Sequence, residues 1–329
     1  MKPLTLGVGL ITYNGLKYVP EQLDSILKQS RSVDHIVVSD DRSTDGTWEF
    51  LEAWAKTSPV RVTLIRNERQ LGLSGNFEQA VAAVEADIIF SSDQDDVWFP
   101  DKVAVLADVF ERDPDVLLAH TDAMLIDAQG KDMGKTLFGE RELSRSERKA
   151  ISAGNAFDVY CRRNLVTGAT AAFRKSLLEL ARPLPAGLYH DAWLALMAAA
   201  IGKVRMLNVM SIGYRQHGSN LVGIRKLEMK EKFRRFRWSL KATVPIKTTV
   251  RGIVAQRAVL LERLAAHPGV KPSCLKGATR ALAFAKRREA LSGNVIFRSL
   301  SVLRDASAGN YRKFSEERWS DLVRDILNK

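Results

Sequence analysis

The chain carries only two cysteines in 329 residues, Cys161 and Cys274. They lie far apart and sit in neither a CxxC nor a metal-ligand spacing. That gives no sign of a disulfide framework, and it fits a reducing compartment. Long hydrophobic runs are also lacking. The longest apolar patch, around Ala192–Ile201, is too short and too alanine-rich to span a bilayer. The opening stretch MKPLTLGVGLITYN has no extended apolar core before a small-residue cleavage site, so it reads as a first strand and not as a secretion signal. No GxGxxG follows that strand and no GxxxxGKS or GxxxxGKT occurs, which removes the dinucleotide-binding and P-loop fingerprints. There is no internal repeat and no low-complexity tract.

What is present is the composition of a folded soluble protein, 46% hydrophobic and 27% charged. The length leaves room for one large domain with an appendage, or for two domains. The net charge of +12 is unevenly spread. Residues 1–224 hold 25 Lys and Arg against 29 Asp and Glu, a net of −4, whereas residues 225–329 hold 25 against 9, a net of +16. The basic part calls for a polyanionic partner, a membrane surface or a nucleic acid. Within it, KLEMKEKFRRFRWSLK (226–241) places Met229, Phe233, Phe236 and Leu240 on one helical stripe, with Trp238 near its border. A basic helix with an aromatic stripe suits a membrane interface. Packing of the stripe on the rest of the protein is the alternative, and no motif supports nucleic acid.

Strand and helix alternate through the first hundred residues. Leu4–Thr12 is a buried strand that stops at Tyr13-Asn14-Gly15, and a helix is expected over 17–29. The strand His35–Ser39 ends in Asp40–Asp45, and a helix follows with Trp48, Leu51 and Trp54 on one face. Arg61–Ile65 is a third strand, Ser74–Val84 a third helix and Asp87–Ser91 a fourth strand. This order predicts a parallel, doubly wound sheet with right-handed crossovers. Farther on come a strand over Val116–Ile126, a polar insertion over Gly130–Ala150, and a small-residue turn, Thr167–Thr170, before Ala171–Phe173. A helix runs from His190 to about Ile201 with Asp191 near its start, and Lys203–Ile212 is strand-like. Beyond Arg225 only helical segments are expected.

The fourth strand delivers FSSDQDDVWFP (Phe90–Pro100), in which Asp93, Asp95 and Asp96 crowd three carboxylates into four residues. Carboxylates so close repel unless a cation or hydrogen-bond donors hold them. With open positions left over, they suit Mg²⁺ or Mn²⁺ bridging diphosphate oxygens. An acidic surface turn capping a helix at Asp101 is the other reading. Strand ends of one parallel sheet share an edge, so Thr12–Asn14, Asp40–Asp45 and Asp93–Asp96 should line one crevice.

Seven stretches, in order over residues 4–223, resemble the family-2 glycosyltransferases, and within them the rhamnosyltransferase branch of bacterial polysaccharide assembly. They are ITYNG (Ile11–Gly15), VSDDRSTDGT (Val38–Thr47), LGLSGNFEQA (Leu71–Ala80), SDQDDVWFPDKV (Ser92–Val103), TGAT (Thr167–Thr170), HDAW (His190–Trp193) and YRQHGSNLVG (Tyr214–Gly223). The resemblance implies a GT-A fold, Rossmann-like, with a mostly parallel sheet flanked by helices. It implies a catalytic domain over 1–224, leaving a basic helical region over 225–329 outside the match. It also implies an inverting transfer, with dTDP-rhamnose the expected donor and a polysaccharide or lipid-linked saccharide the acceptor. Transfer of another hexose from a UDP-sugar, and a non-catalytic nucleotide-sugar-binding or scaffold module, are the alternatives. The expected place is the cytoplasm, peripheral to the inner face of the cytoplasmic membrane.

Roles follow residue by residue from the resemblance. Asp41, with Asp40 beside it, would meet the nucleotide base, and Thr12, Tyr13, Asn14 and Gln94 would belong to the donor side. Asp93 and Asp95 form the DxD pair, one near the ribose and one on the metal, with Asp96 spare. Asp191 falls on the general base; as a residue alone it also reads as a helix N-cap. His217 and Arg215 would reach the diphosphate, His217 also completing the metal shell, or else hold their turn. Thr167, Gly168, Ala169, Thr170, His190 and Trp193 fall on the acceptor side, although the TGAT stretch reads equally as a tight turn and His190 as structural. One departure stands out: Arg42 occupies a position that is often glycine, where it could pair with Asp40 or reach the nucleotide.

Overall fold

The computed structural model describes residues 3–185, 187–218 and 246–327. The basic stripe of 226–241 lies outside them. Two compact units emerge: Met1–Gly154 with Leu165–Ile224, and Asn155–Asn164 with Arg225–Lys329.

The first unit is built on one nine-stranded sheet. Its strands are β1 (Leu6–Thr12), β2 (His35–Asp40), β3 (Arg61–Arg66), β4 (Ile88–Ser92), β5 (Val97–Trp98), β6 (Val116–Ile126), β7 (Asp132–Thr136), β8 (Ala171–Arg174) and β9 (Lys203–Arg215). Their order is β3-β2-β1-β4-β8-β6-β9-β5, with β7 on β6. The first four strands are parallel, joined through α1 (Val19–Leu27), α2 (Thr47–Ala55) and α3 (Gly72–Ala82). Their registers pair Thr12 with Asp40 and Leu10 with Ser92, so the three polar strand ends do share one edge. β1, β2 and β4 are buried along their whole length, as near-continuous apolar runs in a two-sided parallel sheet should be.

The other half of the sheet departs from the parallel expectation. β8 runs antiparallel to both β4 and β6, and β5 runs antiparallel to β9. The sheet is therefore mixed. An apolar strand sequence specifies burial but not direction, so the pattern that locates these strands cannot orient them. The reversal has a use. Phe90 pairs with Ala172, which brings the turn entering β8 to the edge where β4 ends, and the short β5 ties the acidic loop to the last residues of β9.

Between β5 and β6 runs α4 (Lys102–Arg112), with Val103, Leu106 and Phe110 in the core. The polar stretch 130–150 folds into β7, α5 (Leu137–Glu140) and α6 (Arg145–Ser152). α6 opens with a reciprocal cap in which Ser144 accepts from the Glu147 backbone and Glu147 accepts from Ser144 N. α8 (Lys175–Ala181) follows β8, and α9 (His190–Ile201) precedes β9.

The second unit is helical: α7 (Ala156–Arg162), α10 (Ile246–Ala266), α11 (Pro272–Glu289), α12 (Val295–Ser307), α13 (Asn310–Phe314) and α14 (Trp319–Leu327). α7 joins it because its ring Phe157 packs where Gly277 of α11 leaves room; an added Cβ there would lie 3.3 Å from Phe157. Phe284, Tyr311 and Phe314 form the core with Ala281 and Val302. Among the described residues, no helix is long and apolar enough to cross a membrane.

Candidate functional site

The β1 and β2 ends are knitted together by side chains. Thr12 Oγ1 donates to Asp40 Oδ1 at 2.9 Å, and Asp40 Oδ2 accepts from Ser43 N at 2.9 Å, leaving Asp40 fully buried. Asn14 N donates to Ser43 Oγ and its Oδ1 accepts from Thr44 N, both at 2.8 Å. Asp40 is thus a loop tie. Asp41 is largely committed as well: Oδ1 accepts from Asn67 Nδ2 (2.9 Å) and Leu71 N (2.7 Å), and Oδ2 from Gly72 N (2.9 Å). A carboxylate has about four lone-pair sites, so one position on Oδ2 is left for a base N–H.

Arg42 answers the departure noted in the sequence. It sits at φ 65, in the left-handed region where glycine is easiest, and donates from Nη1 to Glu68 O at 2.5 Å. It pairs with the backbone of the β3–α3 loop and not with Asp40.

Gln94 holds the third strand end against the first. Its Oε1 accepts from Tyr13 N at 2.8 Å and its Nε2 donates to Tyr13 O at 3.1 Å. Gly15 makes this approach feasible, since a Cβ there would fall 2.1 Å from Gln94 Oε1. The Tyr13 ring is left exposed at the crevice edge.

In the acidic loop, Asp95 Oδ2 lies 2.8 Å from His217 Nε2, and His217 stacks on Tyr18. Arg215, expected on the donor, is instead a buried strut. Its Nε donates to Asp95 O at 2.7 Å, its Nη2 to Glu21 Oε2 at 2.5 Å, and its backbone N to Asp96 Oδ1 at 3.0 Å. A guanidinium so committed positions the acidic loop. Asp96 is buried, and its Oδ2 has no hydrogen-bond partner among the described residues.

Burial, reinforced by Asp95 and then Asp191, pushes the Asp93 carboxyl up to about 7. Burial, with Asp95 and Asp93, raises Asp96 well above the usual carboxylate range. No sequence signal pointed to Lys102. Fully buried on α4, it donates to Ala169 O at 2.7 Å and lies over the Trp98 ring. Burial lowers its pKa well below the usual lysine value, while Asp96 and Asp93 pull it back up.

The TGAT turn and the HDAW helix meet. Gly168 N donates to Asp191 Oδ2 at 3.2 Å, and Asp191 Oδ1 accepts from Ala192 N at 2.6 Å. Asp191 lies inside the first turn of α9, where a carboxylate is favoured; the N-cap position belongs to Tyr189. Gly168 is required here, because a Cβ would come within 2.8 Å of His190 Nε2. The turn is fixed from below by Ser91 Oγ, which donates to Gly168 O at 2.5 Å, and by Lys102. Thr170 Oγ1 closes onto Thr167 O, and Arg141 Nη2 donates to Thr167 Oγ1.

Two of the side chains expected on the acceptor side turn into the protein. Trp193 is fully buried and donates from Nε1 to Ala181 O at 2.9 Å, so it is core. His190 stacks on Phe77 at 3.8 Å and is buried, which lowers its pKa. Ala169 and Thr170 are likewise buried, Ala169 taking part through its carbonyl and Thr170 through its hydroxyl. The exposed ring beside the site is Tyr189, immediately before α9.

Among the described residues, no three His, Cys, Asp or Glu side chains form a metal cage. A cage is not what this chemistry requires. Mg²⁺ is commonly held by one or two carboxylates plus substrate phosphates. Asp95 with His217, Asp93, whose ionised form burial and the neighbouring carboxylates disfavour, and the unpartnered Asp96 Oδ2 offer such a donor set, and they fit a divalent cation.

Asp93 makes the fit testable through stability. A carboxyl whose pKa is raised on folding holds its proton more tightly in the folded state. Folding stability is therefore lost as pH rises from the ordinary value near 4 to about 7. Without divalent ions, Asp93→Asn should melt several degrees above wild type at pH 8, with the gap closing by pH 5. Thermal melts in EDTA would show it, and equal melting at both pH values would remove Asp93 from the charged cluster.

Lys102→Met removes the bond to Ala169 O and the cation nearest Asp96 and Asp93. A stability loss of about 1–3 kcal/mol is expected at pH 8 and less at pH 5, where the carboxyls need no counter-charge. Urea titrations at the two pH values test this; a variant as stable as wild type at both would make Lys102 a passive core residue.

Against known proteins, residues 8–179 match the family described as Glycosyl transferase family 2. An uncharacterised glycosyltransferase of Nostoc sp. is 27% identical over 222 residues, 66% of each chain. The dTDP-rhamnosyl transferase RfbG of Shigella flexneri is 36% identical over 98 residues, 29% of this chain and 34% of the relative. The chain thus spans between about a third and two thirds of these relatives' lengths. Among solved structures, S. aureus TarS 1–349 in complex with UDP-GlcNAc superposes with a TM-score of 0.59 at 14% identity, covering 98% of this chain and 89% of that one. The mannosyltransferase PcManGT of Pyrobaculum calidifontis, in complex with GDP-Man and Mn²⁺, gives 0.53 at 18% identity, covering 99% and 88%. Both share the GT-A fold with this chain.

Proposed function

We propose, from the premise that the chain belongs to glycosyl transferase family 2, that it transfers a sugar from a nucleoside-diphosphate donor to a hydroxyl of a growing cell-surface saccharide. The observation that carries this reading is the meeting of two arrays at one sheet edge: the acidic loop with His217, and Asp191 held by the TGAT turn. A diphosphate leaving group and an acceptor hydroxyl need those two arrays on opposite sides of the sugar.

Asp95 and His217, with Asp93, would hold a Mg²⁺ or Mn²⁺, which when bound neutralises charge on the departing diphosphate and acts as a Lewis acid. The relatives solved with UDP-GlcNAc and with GDP-Man and Mn²⁺ support that kind of donor. The chain's own residues supply the rest. Asp41 keeps one acceptor position for a base N–H, and the exposed Tyr13 ring borders the nucleotide side. On the other side, Asp191 takes the proton of the acceptor hydroxyl. As the acceptor oxygen bonds to the anomeric carbon, the bond from that carbon to the diphosphate oxygen breaks, with inversion. Tyr189, exposed beside Asp191, offers the acceptor ring an apolar face. Similarity to a dTDP-rhamnosyl transferase favours dTDP-rhamnose over UDP-hexoses as the donor.

The test is nucleoside diphosphate release from a donor panel, with and without lipid-linked saccharide acceptors. Release from dTDP-rhamnose above UDP-GlcNAc and GDP-mannose supports the donor. A protein that binds nucleotide yet releases none from any donor with acceptor present would be a binding module.

A further inference from the structure

α12 has its polarity inverted for a helix in a folded unit. Its inward face is polar. Arg298 is buried and donates from Nε to Ile326 O at 2.8 Å and from Nη1 to Gly293 O at 2.9 Å. Asp305 is buried and accepts from Arg287 Nη2 and Asn310 Nδ2, both at 2.7 Å. Val302 is the one large apolar side chain of α12 that is fully buried.

The outward face is apolar. Ile296, Phe297, Leu300 and Leu303 are 66%, 65%, 60% and 55% exposed. At about 100° per residue they fall within a sector of about 120°. The helix cannot roll to hide them without breaking the bonds of Arg298 and Asp305, so this face is locked outward. A patch of this kind marks an interaction site.

Charge decides the occupant. Residues 225–329 carry a net +16, and Arg304 shares the outward sector with no acid three or four residues away along the helix. A second copy of the chain would bring a region of the same net positive sign, whereas an anionic bilayer brings the opposite sign together with apolar depth. α14 packs on α12, and Trp319 in its first turn is 77% exposed, in keeping with an interface at the headgroup level. We propose that the outward face of α12, centred on Ile296, Phe297 and Leu300, lies in the interface of an anionic lipid bilayer and docks the protein on a membrane. This surface is separate from the sugar-transfer reading and stands or falls without it.

The experiment is flotation of the full chain with phosphatidylcholine vesicles, plain or containing about a quarter phosphatidylglycerol. Wild type should float with the anionic vesicles only, and less so in high salt. Ile296→Ser/Phe297→Ser/Leu300→Ser should weaken that binding roughly tenfold or more, with the melting temperature held because the three side chains are exposed. Phe297→Trp keeps the patch apolar and reads depth directly: brominated lipids should quench its added emission. The proposal is overturned if wild type binds neither vesicle, or if the triple variant binds as wild type does, which would move the contact elsewhere, such as to 226–241. It is equally overturned if the emission added by Phe297→Trp goes unquenched, or if wild type is a dimer that the triple substitution dissociates. Unfolding of the triple variant would place the patch in the core and would also overturn it, provided the Phe297→Trp reading agrees.

Discussion

Asp191→Asn is expected to lower kcat by roughly 10²–10⁴-fold while leaving donor affinity nearly unchanged. A general base acts on the acceptor hydroxyl in the transition state and need not hold the donor. Asparagine keeps the size of the side chain but cannot take a proton at neutral pH. The geometry also limits the collateral damage. Asp191 accepts from Gly168 N and Ala192 N, and it is not the N-cap of α9. The amide can still accept one of those bonds, so the stability loss should be about 1 kcal/mol. Steady-state kinetics, donor titration and a melt on the same preparation separate the outcomes. A stability loss as large as the rate loss would make Asp191 a structural residue. Near-normal turnover would place the base elsewhere.

Asp95→Ala is expected to weaken binding of a nucleoside diphosphate with a divalent ion at least tenfold, or about 1.4 kcal/mol. It removes a carboxylate whose Oδ2 faces His217, from a residue whose backbone carbonyl is gripped by Arg215. The strut from Arg215 goes to the backbone and survives the substitution, so the loop should keep its path while losing its ligand. Asp95→Asn should be nearly as damaging, because a neutral amide is a poor ligand for a hard cation. Equal affinity in wild type and variant, with and without EDTA, would sink the assignment.

Much of this arrangement could be read from the residues. The convergence of Thr12, Asp40 and the acidic loop follows from strand–helix alternation alone, because parallel strands end at a common edge. The ranges 116–126 and 190–201 are legible from apolar patterning, which survives in the burial of β6 and α9. What pattern cannot supply is direction and partnership. β8 and β5 run antiparallel, and nothing in AAFR or VW encodes that. The stretch 130–150 reads as a polar insertion because its helices are short and charged, although the Ser144–Glu147 spacing is a capping signal.

Three of the expected site side chains turn inward, and for one cause. Arg215, His190 and Trp193 are polar or aromatic residues beside the site in sequence, and residue type alone does not say which way a side chain turns. Arg215 turns inward to grip the acidic loop, His190 to stack on Phe77, and Trp193 to reach Ala181. Lys102 escapes pattern reading for the converse reason. A lysine on an amphipathic helix reads as solvated, and only the fold reveals that it is buried between the acidic loop and the TGAT turn.

The proposed transfer requires that the acidic loop and the β1 and β2 ends form one site for a nucleoside diphosphate and a divalent cation. Calorimetric titration of the full chain with dTDP, UDP and GDP, each with Mn²⁺, Mg²⁺ or EDTA, tests it most directly. Saturable binding of at least one of the three is expected with either ion, lost in EDTA and in Asp95→Ala. Binding of none of them under any condition, by a protein that melts cooperatively, would contradict it.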